Sequence, residues 1–193
     1  MRVVLASASP ARLKILRAAG LQPEVVVSGV DESTVTGAPE QVAQELAEMK
    51  AQAVASSIDG HSLVIGCDSV FSFEGKAFGK PADAAAAIAQ WQRMRGRSGE
   101  LFTGHCIIST STGRTVKAVA RTAVMFGRPS DDEITAYVET GEPLHVAGGF
   151  TIDGIGGWFV DRIEGDHTNV IGISLPLVRR LLGELEVPIT TLW

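Results

Sequence analysis

The chain has 193 residues, of which 45% are hydrophobic and 20% charged, a composition that excludes a disordered protein and suits one domain or two closely packed lobes. Its formal net charge of -5 excludes a nucleic-acid binder that relies on a broad basic field. Cys67 and Cys106 lack the spacing of a metal site or of a secreted disulfide framework, so we expect two buried thiols and a cytoplasmic protein. No apolar leader opens the chain and no apolar run could cross a bilayer, so we expect no membrane partner.

The first stretch predicts a turn that can hold an anion. Residues 3–6 are a short apolar run typical of a buried strand, and Ser9 and Pro10 then fit the N-cap and first position of a helix. Such a turn aims free backbone N–H groups and the positive end of the helix dipole at one point. Ser7, Ser9 and Arg12 would converge there, a set that suits phosphate. This stretch alone slightly favours the alternative, an ordinary capped helix with a surface arginine.

The next elements predict an alternation of helices and strands. Helices are expected over residues 10–19 and 39–56, with a strand at 24–27 and a polar loop at 29–33 between them. Lys50 lies near the apolar edge of the second helix. Its position alone favours a surface lysine whose aliphatic stem lies along the helix.

A central strand is predicted over residues 63–71, where a nearly continuous apolar run is broken by Asp68. A charge in such a strand is costly unless it is paired, bound to metal or protonated, so Asp68 is the best single candidate for chemistry. A buried aspartate that only accepts backbone hydrogen bonds is the alternative. The turn at residues 74–75 predicts a hairpin towards 78–81, and Lys80 there is either fixed towards a neighbouring site or solvated.

The rest of the chain completes an α/β pattern with a mixed sheet. The expected elements are a helix at 82–94, a hairpin of strands at 100–110 and 115–126, a capped helix at 130–138, a strand at 158–163 and a last helix from 174. Arg93, Arg95 and Arg97 fall in a glycine-containing loop, which is either a cationic patch or an ordinary solvated loop. Residues 141–172 hold 8 of the 21 glycines without the spacing of a dinucleotide or Walker loop.

The polar candidates together indicate a phosphate site that includes carboxylates. They are the hydroxyls with Arg12 at the first helix, Asp31, Glu32, Lys50, Asp68 and Lys80. Metal-assisted cleavage of a phosphoanhydride needs carboxylates for a hard divalent ion, cations for the phosphates and a base for water. A serine hydrolase is disfavoured because no Gly-x-Ser-x-Gly elbow occurs, and a zinc site because the cysteines and histidines do not cluster.

Five segments carry a specific resemblance to a known family: residues 5–12, 48–51, 66–70, 79–81 and 147–154. In this order they resemble the Maf family of nucleoside triphosphate pyrophosphatases, and the resemblance is collinear from Val3 to Leu182. It implies a single Maf-like domain over residues 1–193 with an inosine-triphosphatase-like fold. That fold is an elongated mixed β-sheet flanked by helices, with two lobes around a central cleft.

The resemblance also implies an activity and roles for the candidate residues. A nucleoside triphosphate would be hydrolysed between the α and β phosphates with Mg²⁺ or Mn²⁺, and Asp68 would be the catalytic residue that activates water. Asp68 and Glu32 would be metal ligands. The residues expected to bind the triphosphate are Ser7, Ser9, Arg12, Lys50 and Lys80. Members are often homodimers and are described as house-cleaning enzymes or linked to division arrest, so a non-catalytic nucleotide-binding regulator of division is the rival function.

Substrate choice is expected to depend on Arg12, Ser69 and Asp153. Ala11 stands where many relatives have an additional arginine, which leaves Arg12 as the arginine of this turn. Ser69 resembles the family branch that acts on thymidine and uridine triphosphates, whereas the acidic Asp153 resembles the branch that acts on 7-methyl-GTP. Of the two branches, we expect the one that acts on pyrimidine triphosphates.

Overall fold

The computed structural model describes residues 1–193 and contains one mixed sheet of seven strands flanked by helices, as the sequence predicts. The strands are β1 (Arg2–Leu5), β2 (Glu24–Val25), β3 (Ser62–Phe73), β4 (Lys76–Phe78), β5 (Ser98–Ser109), β6 (Thr115–Phe126) and β7 (Val160–Glu164). The helices are α1 (Pro10–Ala18), α2 (Pro39–Ala55), α3 (Ala84–Met94), α4 (Asp131–Glu139), α5 (His167–Ile171) and α6 (Leu175–Glu184). The sheet order is β2-β1-β3-β5-β6-β7, and β4 pairs with β3 beside this path. The pairs of β1 with β2 and β3 are parallel, and all others are antiparallel.

Two lobes share the long strands β3, β5 and β6, each of 12 residues and therefore about 40 Å long. One hydrophobic cluster packs α1 and α6 against β1 and the first part of β3, and a separate one surrounds Trp91, Phe71 and Phe126 at the far end of the sheet. Trp91 and Phe126 meet edge-to-face with ring centroids 5.5 Å apart. The polar residues of β3 and β5 lie between these two cores.

Helix α2 covers the opposite face of the sheet at very close range, because glycines lie beneath it. A Cβ atom added to Gly66 would come within 2.2 Å of the Ala47 carbonyl oxygen, and one added to Gly104 within 2.1 Å of the Ala43 carbonyl oxygen. Side chains alternate between the faces of a strand, so Asp68 lies on the same face as Gly66. The contact therefore brings the later turns of α2 directly over Asp68.

Several element boundaries differ from the sequence predictions. Strand β2 has only two residues, and α3 begins at Ala84 rather than Ala82 because the Asp83 carboxylate accepts from the Ala86 N–H at the N-cap. The strand expected over 158–163 runs from Val160 to Glu164 because a 3₁₀ turn, Ile155–Phe159, precedes it. Helix α5 was not predicted, since five residues are too short to show a helical period.

Both cysteines are free and buried, as expected from their spacing. Burial raises the pKa of each thiol to about 12. None of the helices combines the length and apolar character that a membrane span requires.

His105 connects β5 to the start of α6 from inside the fold. Its Nδ1 lies 2.9 Å from the Thr103 carbonyl oxygen, and its Nε2 lies 2.8 Å from the backbone nitrogen of Ser174, the N-cap of α6. Because the Ser174 N–H donates to Nε2, the ring proton must be on Nδ1. Burial lowers the pKa of His105 to about 4, so the ring is neutral in the folded protein.

We expect His105 to make the free energy of unfolding pH-dependent. The unfolded histidine binds a proton below about pH 6.5 whereas the folded one resists protonation until about pH 4, so stability present above pH 6.5 is lost as the pH falls. Between pH 7 and pH 5 this amounts to about 2 kcal/mol. Urea denaturation should show this extra slope in the wild type and in the exposed control His61→Gln, and lack it in His105→Gln. Equal slopes in all three proteins would contradict the assignment.

Glu142 organises the loop that follows α4. Its carboxylate accepts hydrogen bonds from the Tyr137 hydroxyl at 2.8 Å, the Thr151 hydroxyl at 2.6 Å, and the backbone N–H groups of Ile155 and Gly156, both at 2.9 Å. Burial raises the pKa of Glu142, but these hydrogen bonds outweigh it and hold the pKa below its usual value. One carboxylate therefore fixes both ends of the segment that carries residue 153.

Replacing Glu142 with glutamine should destabilise this loop, because an NH₂ group would face donors in place of a carboxylate oxygen. We expect a loss of about 1–3 kcal/mol in the free energy of unfolding at pH 7. A lowered pKa gives stability that is present above about pH 4.5 and lost at lower pH, so the difference from wild type should shrink as the protein is acidified. Denaturation of Glu142→Gln and of the exposed control Glu139→Gln tests this. Equal stability of the two variants at pH 7 would contradict it.

Candidate active site

The candidate site lies at a gap in the edge of the sheet. Strand β1 pairs with β3 as far as Leu5 opposite Ile65, and β4 pairs with the same edge only from Phe71 onwards. The intervening residues 66–70 have a partner strand on one side only, which is β5. Asp68 and Ser69 therefore lie at an open strand edge, with their side chains on opposite faces of the sheet.

A lysine and two carboxylates meet on the α2 side of this gap. The Lys50 Nζ lies 2.5 Å from Asp68 Oδ1 and 2.7 Å from Glu32 Oε1. Lys50 is only 8% exposed, so the expectation of a surface lysine is wrong. The reason is the glycine-mediated approach of α2 to the sheet, which brings Lys50 down onto β3.

Asp68 is a mostly buried carboxylate with opposing influences on its proton affinity. Burial raises its pKa, Lys50 and Arg12 lower it, and the Glu32 carboxylate raises it further, so that the pKa lies above its usual value. A carboxylate with a raised pKa accepts a proton from water more readily. Asp68 thus has the environment of a general base beside a fixed cation.

Arg12 lies on the other face of the gap, buried to 9% exposure and held by three hydrogen bonds. Its Nη1 donates to the Ser7 hydroxyl at 3.0 Å, its Nη2 to the Ser69 hydroxyl at 3.1 Å and its Nε to the Gly172 carbonyl oxygen at 2.8 Å. A guanidinium has five N–H groups, so two remain for a ligand. The prediction that Ser7, Ser9 and Arg12 converge is confirmed for Ser7, whereas the Ser9 hydroxyl contacts only the backbone N–H of Arg12. The three contacts of the guanidinium preorganise it.

A relay of buried hydroxyls and an amide supports Ser69. The Ser69 and Thr103 hydroxyl oxygens are 2.9 Å apart, and Thr103 donates to the Asn169 carbonyl oxygen at 3.3 Å. The Asn169 side-chain amide in turn donates to the Thr122 hydroxyl at 3.0 Å. Sequence reasoning missed Thr103 and Asn169. The signal that identified Asp68, a polar residue in an apolar strand, would have identified Thr103 as well.

The remaining candidates lie around the gap without joining this cluster. Ser9 is the N-cap of α1 and accepts from the Arg12 N–H at 3.4 Å, and the Asp31 carboxylate accepts from Ser33. Lys80 is exposed on the bend between β4 and α3 and makes no side-chain hydrogen bond or ion pair. Asp153 is exposed, with its Oδ2 4.0 Å from the Nζ of Lys14 on α1, a contact that joins the two lobes.

The residues present fit a hard divalent cation that is bound together with phosphate. Asp68 and Glu32 both reach one ammonium group, so their oxygens can share one cation. No group of three or more histidine, cysteine, aspartate or glutamate side chains forms a cage for a metal anywhere in the chain. Mg²⁺ usually binds through one or two carboxylates plus substrate phosphates and water, which is the donor set available here.

Solved structures with a related outline have low sequence identity. A dITP/XTP pyrophosphatase from Mycobacterium abscessus is 18% identical, with a TM-score of 0.42 over 67% of this chain and 76% of that one. The Staphylococcus aureus Ham1 protein is 12% identical, with a TM-score of 0.45 over 66% of this chain and 72% of that one. These similarities carry no argument about function.

The similarity to named protein sequences is much higher. Proteins named nucleoside triphosphate pyrophosphatase from Salinispora tropica and Streptomyces coelicolor are 60% and 61% identical, over 100% of this chain and 88% and 94% of theirs. One of the same name from Mycobacterium sp. (strain JLS) is 52% identical over 100% of this chain and 98% of its own. The family model described as Maf-like protein matches residues 2–185. The chain therefore belongs to the Maf family.

Proposed function

We propose that this chain is a nucleoside triphosphate pyrophosphatase, a hydrolase that converts a nucleoside triphosphate to the monophosphate and pyrophosphate. The observation that carries the proposal is the convergence of Asp68, Lys50 and Arg12 on the open edge of β3. A mostly buried base with Lys50 beside it and Arg12 on the other face of the strand suits the hydrolysis of a phosphoanhydride. The names of relatives at 60% and 61% identity support the same activity.

In this proposal Asp68 orients the attacking water and accepts its proton. The water oxygen bonds to the α-phosphorus, the bond to the bridging oxygen breaks, and pyrophosphate leaves with the electron pair of that bond. Arg12 uses its two free N–H groups on phosphate oxygens, and Ser7 and Ser9 lie beside it at the start of α1. Lys50 holds Asp68 in place, and Lys50, Ser7 and Ser9 are proposed with Arg12 as ligands of the triphosphate.

We propose Mg²⁺ or Mn²⁺ as the cofactor, held by Asp68 and Glu32 together with the substrate phosphates. When bound, such an ion neutralises phosphate charge and polarises the oxygens it contacts. Lys80 is proposed as a further triphosphate ligand because its exposed amine has no partner in the protein. A cytoplasmic location, a homodimer, and the absence of nucleic-acid and membrane partners stay predictions from sequence and resemblance.

The proposed substrates are thymidine and uridine triphosphates or modified pyrimidine nucleotides, with 7-methyl-GTP as the alternative for the same chemistry. Ser69 supports the first group through the family resemblance at this position, and its hydroxyl is held between Arg12 and Thr103 beside the open strand edge. Asp153 supports the alternative, because an exposed carboxylate can accept hydrogen bonds from a purine edge. Glu142 holds the loop that carries Asp153 at both ends, which supports a proposed role for Asp153 that needs no rearrangement of the loop.

Replacing Asp68 with asparagine should remove most of the turnover while preserving the fold. Loss of a general base lowers the rate by about 10²–10⁴-fold, and the asparagine carbonyl can still accept from Lys50. Release of pyrophosphate with Mg²⁺ present should be measured for Asp68→Asn and for the exposed control Asp59→Asn, with thermal melting and nucleotide binding as checks. Near-normal turnover in the folded Asp68→Asn protein would remove Asp68 from the mechanism.

Substrate choice can be tested by comparing kcat/KM for dTTP, UTP and 7-methyl-GTP. We expect the pyrimidine nucleotides to be preferred, and Asp153→Gln to raise that preference by about tenfold, the worth of one hydrogen bond near 1.4 kcal/mol. Asp59→Gln, far from the loop, should leave the ratio unchanged. Preference for 7-methyl-GTP would reverse the assignment. Binding of nucleotides without turnover of any would favour the non-catalytic regulator.

A further inference from the structure

A cavity lined by arginines lies at the far end of the second lobe, outside the candidate active site. Its volume is about 580 Å³, and no hydrophobic residue lines it. We call it the arginine cavity. Its lining consists of four arginines and three neighbouring residues: Arg93, Arg95, Arg97, Arg128, Gln92, Pro129 and Ser130.

Two turns form the cavity and are bonded to each other through their backbones. The turn between α3 and β5 donates from the Gly96 N–H to the Gly127 carbonyl oxygen at 2.6 Å. The turn between β6 and α4 donates from the Phe126 N–H to the Arg97 carbonyl oxygen at 2.9 Å. These two hydrogen bonds hold the backbone that carries Arg95 and Arg97 next to the backbone that carries Arg128.

Glu74, in the turn between β3 and β4, provides a negative charge for two of the four arginines. Its two carboxylate oxygens accept from Arg93 and Arg97, each at 2.7 Å. The Arg97 guanidinium also lies 4.8 Å from the centroid of the Phe73 ring, so its plane is held against an aromatic face. A single carboxylate is thus shared by two guanidinium groups.

Of the two remaining arginines, Arg95 and Arg128, only Arg95 is paired with a carboxylate. Arg95 pairs with the Asp131 carboxylate at 2.7 Å, whereas Arg128 makes no side-chain hydrogen bond or ion pair. The Glu133 carboxylate is engaged by the Ser130 N–H in the cap of α4, and Asp161 lines a neighbouring cavity with Arg128 without pairing with it. Four guanidiniums are therefore balanced by two paired carboxylates, in a chain whose formal net charge is -5.

Gly96 allows Arg128 to join this group. Gly96 has φ +69°, and a Cβ atom added to it would lie 3.0 Å from the Arg128 Cζ. The unpaired guanidinium thus lies against the bare backbone between Arg95 and Arg97. A side chain at position 96 would push it away.

The arginine cavity is separate from the gap at the open strand edge. Arg93 and Arg97 lie over Phe73, the last residue of β3. Phe73 is five residues beyond Asp68, about 17 Å along an extended strand. A ligand in the cavity would therefore not displace water or substrate at Asp68.

We propose that the arginine cavity binds an oligophosphate anion, either inorganic or the phosphate chain of a nucleotide. Guanidinium forks bind phosphate oxygens in pairs, and Arg128 offers all its side-chain N–H groups. An anion with several charges matches two guanidiniums in excess of the carboxylates, whereas a neutral ligand would find no apolar wall. This binding is independent of the proposed hydrolysis.

Calorimetric titration of the full chain with inorganic tripolyphosphate, without divalent metal and at low salt, tests the proposal. The wild type should bind at two sites, and Arg128→Ala should lose one of them or weaken it at least tenfold with unchanged triphosphate turnover. Gly96→Ala should weaken the same site if its melting temperature is retained. Arg180→Ala, which removes an exposed arginine from α6, is the charge-matched control and should retain both sites.

A second measurement uses the unmutated protein. Tripolyphosphate should protect Arg128 from modification by phenylglyoxal, read by mass spectrometry, while Arg180 is modified at the same rate with or without it. If a non-hydrolysable nucleoside triphosphate protects Arg128 equally well, the cavity binds the phosphate chain whether or not a nucleoside is attached. Unprotected Arg128, or Arg128→Ala binding tripolyphosphate like Arg180→Ala, would overturn the proposal. Protection by nucleotide alone would overturn it too, since the phosphate chain would not suffice.

Discussion

Strand β3 is shared on one edge by two shorter strands, and the stretch between them has no partner there. β1 ends its pairing at Ile65, β4 begins at Phe71, and β5 holds the opposite edge throughout. The side chains of this stretch are thus fixed by a continuous sheet yet open to a ligand on one side. Because alternate residues point to opposite faces, Asp68 meets Lys50 of α2 while Ser69 meets Arg12 of α1. The two halves of the candidate site depend on this single strand.

Burying a lysine beside two carboxylates is costly unless each charge is paired, and here the pairing is mutual. Lys50 contacts both Asp68 and the exposed Glu32, and removing Lys50 would leave the mostly buried Asp68 carboxylate without its charged partner. On the other face, hydrogen bonds to neutral oxygens hold Arg12. These groups lie between two hydrophobic cores, so the lobes supply the stability that the polar layer lacks. Hydrophobic packing at both ends of the molecule therefore holds the polar residues of the candidate site in place.

Local sequence signals predicted the helices and strands. They also predicted those site residues whose environment depends on the residues adjacent to them in the sequence. Asp68 is such a residue, since a carboxylate in an apolar run is already unusual in the sequence. Lys50 is not, because its burial depends on Gly66 and Gly104 in two other strands allowing α2 to approach. The amide support from Asn169 likewise depends on α5, whose five residues give no period to detect. Long-range packing therefore decides what sequence reasoning could not: which polar residues are brought together.

The charge balance of the candidate site gives a reason for a metal ion and for Lys80. Asp68 and Glu32 both pair with Lys50, and Arg12 is held by neutral oxygens, so the four charges sum to zero in the resting structure. The position before Arg12 is Ala11, so α1 adds no second guanidinium. A triphosphate brings several negative charges into a partly desolvated cleft, where uncompensated charge is costly. Positive charge for the triphosphate must then come from outside this cluster. A divalent cation held by the two carboxylates and the unpaired Lys80 would both supply it.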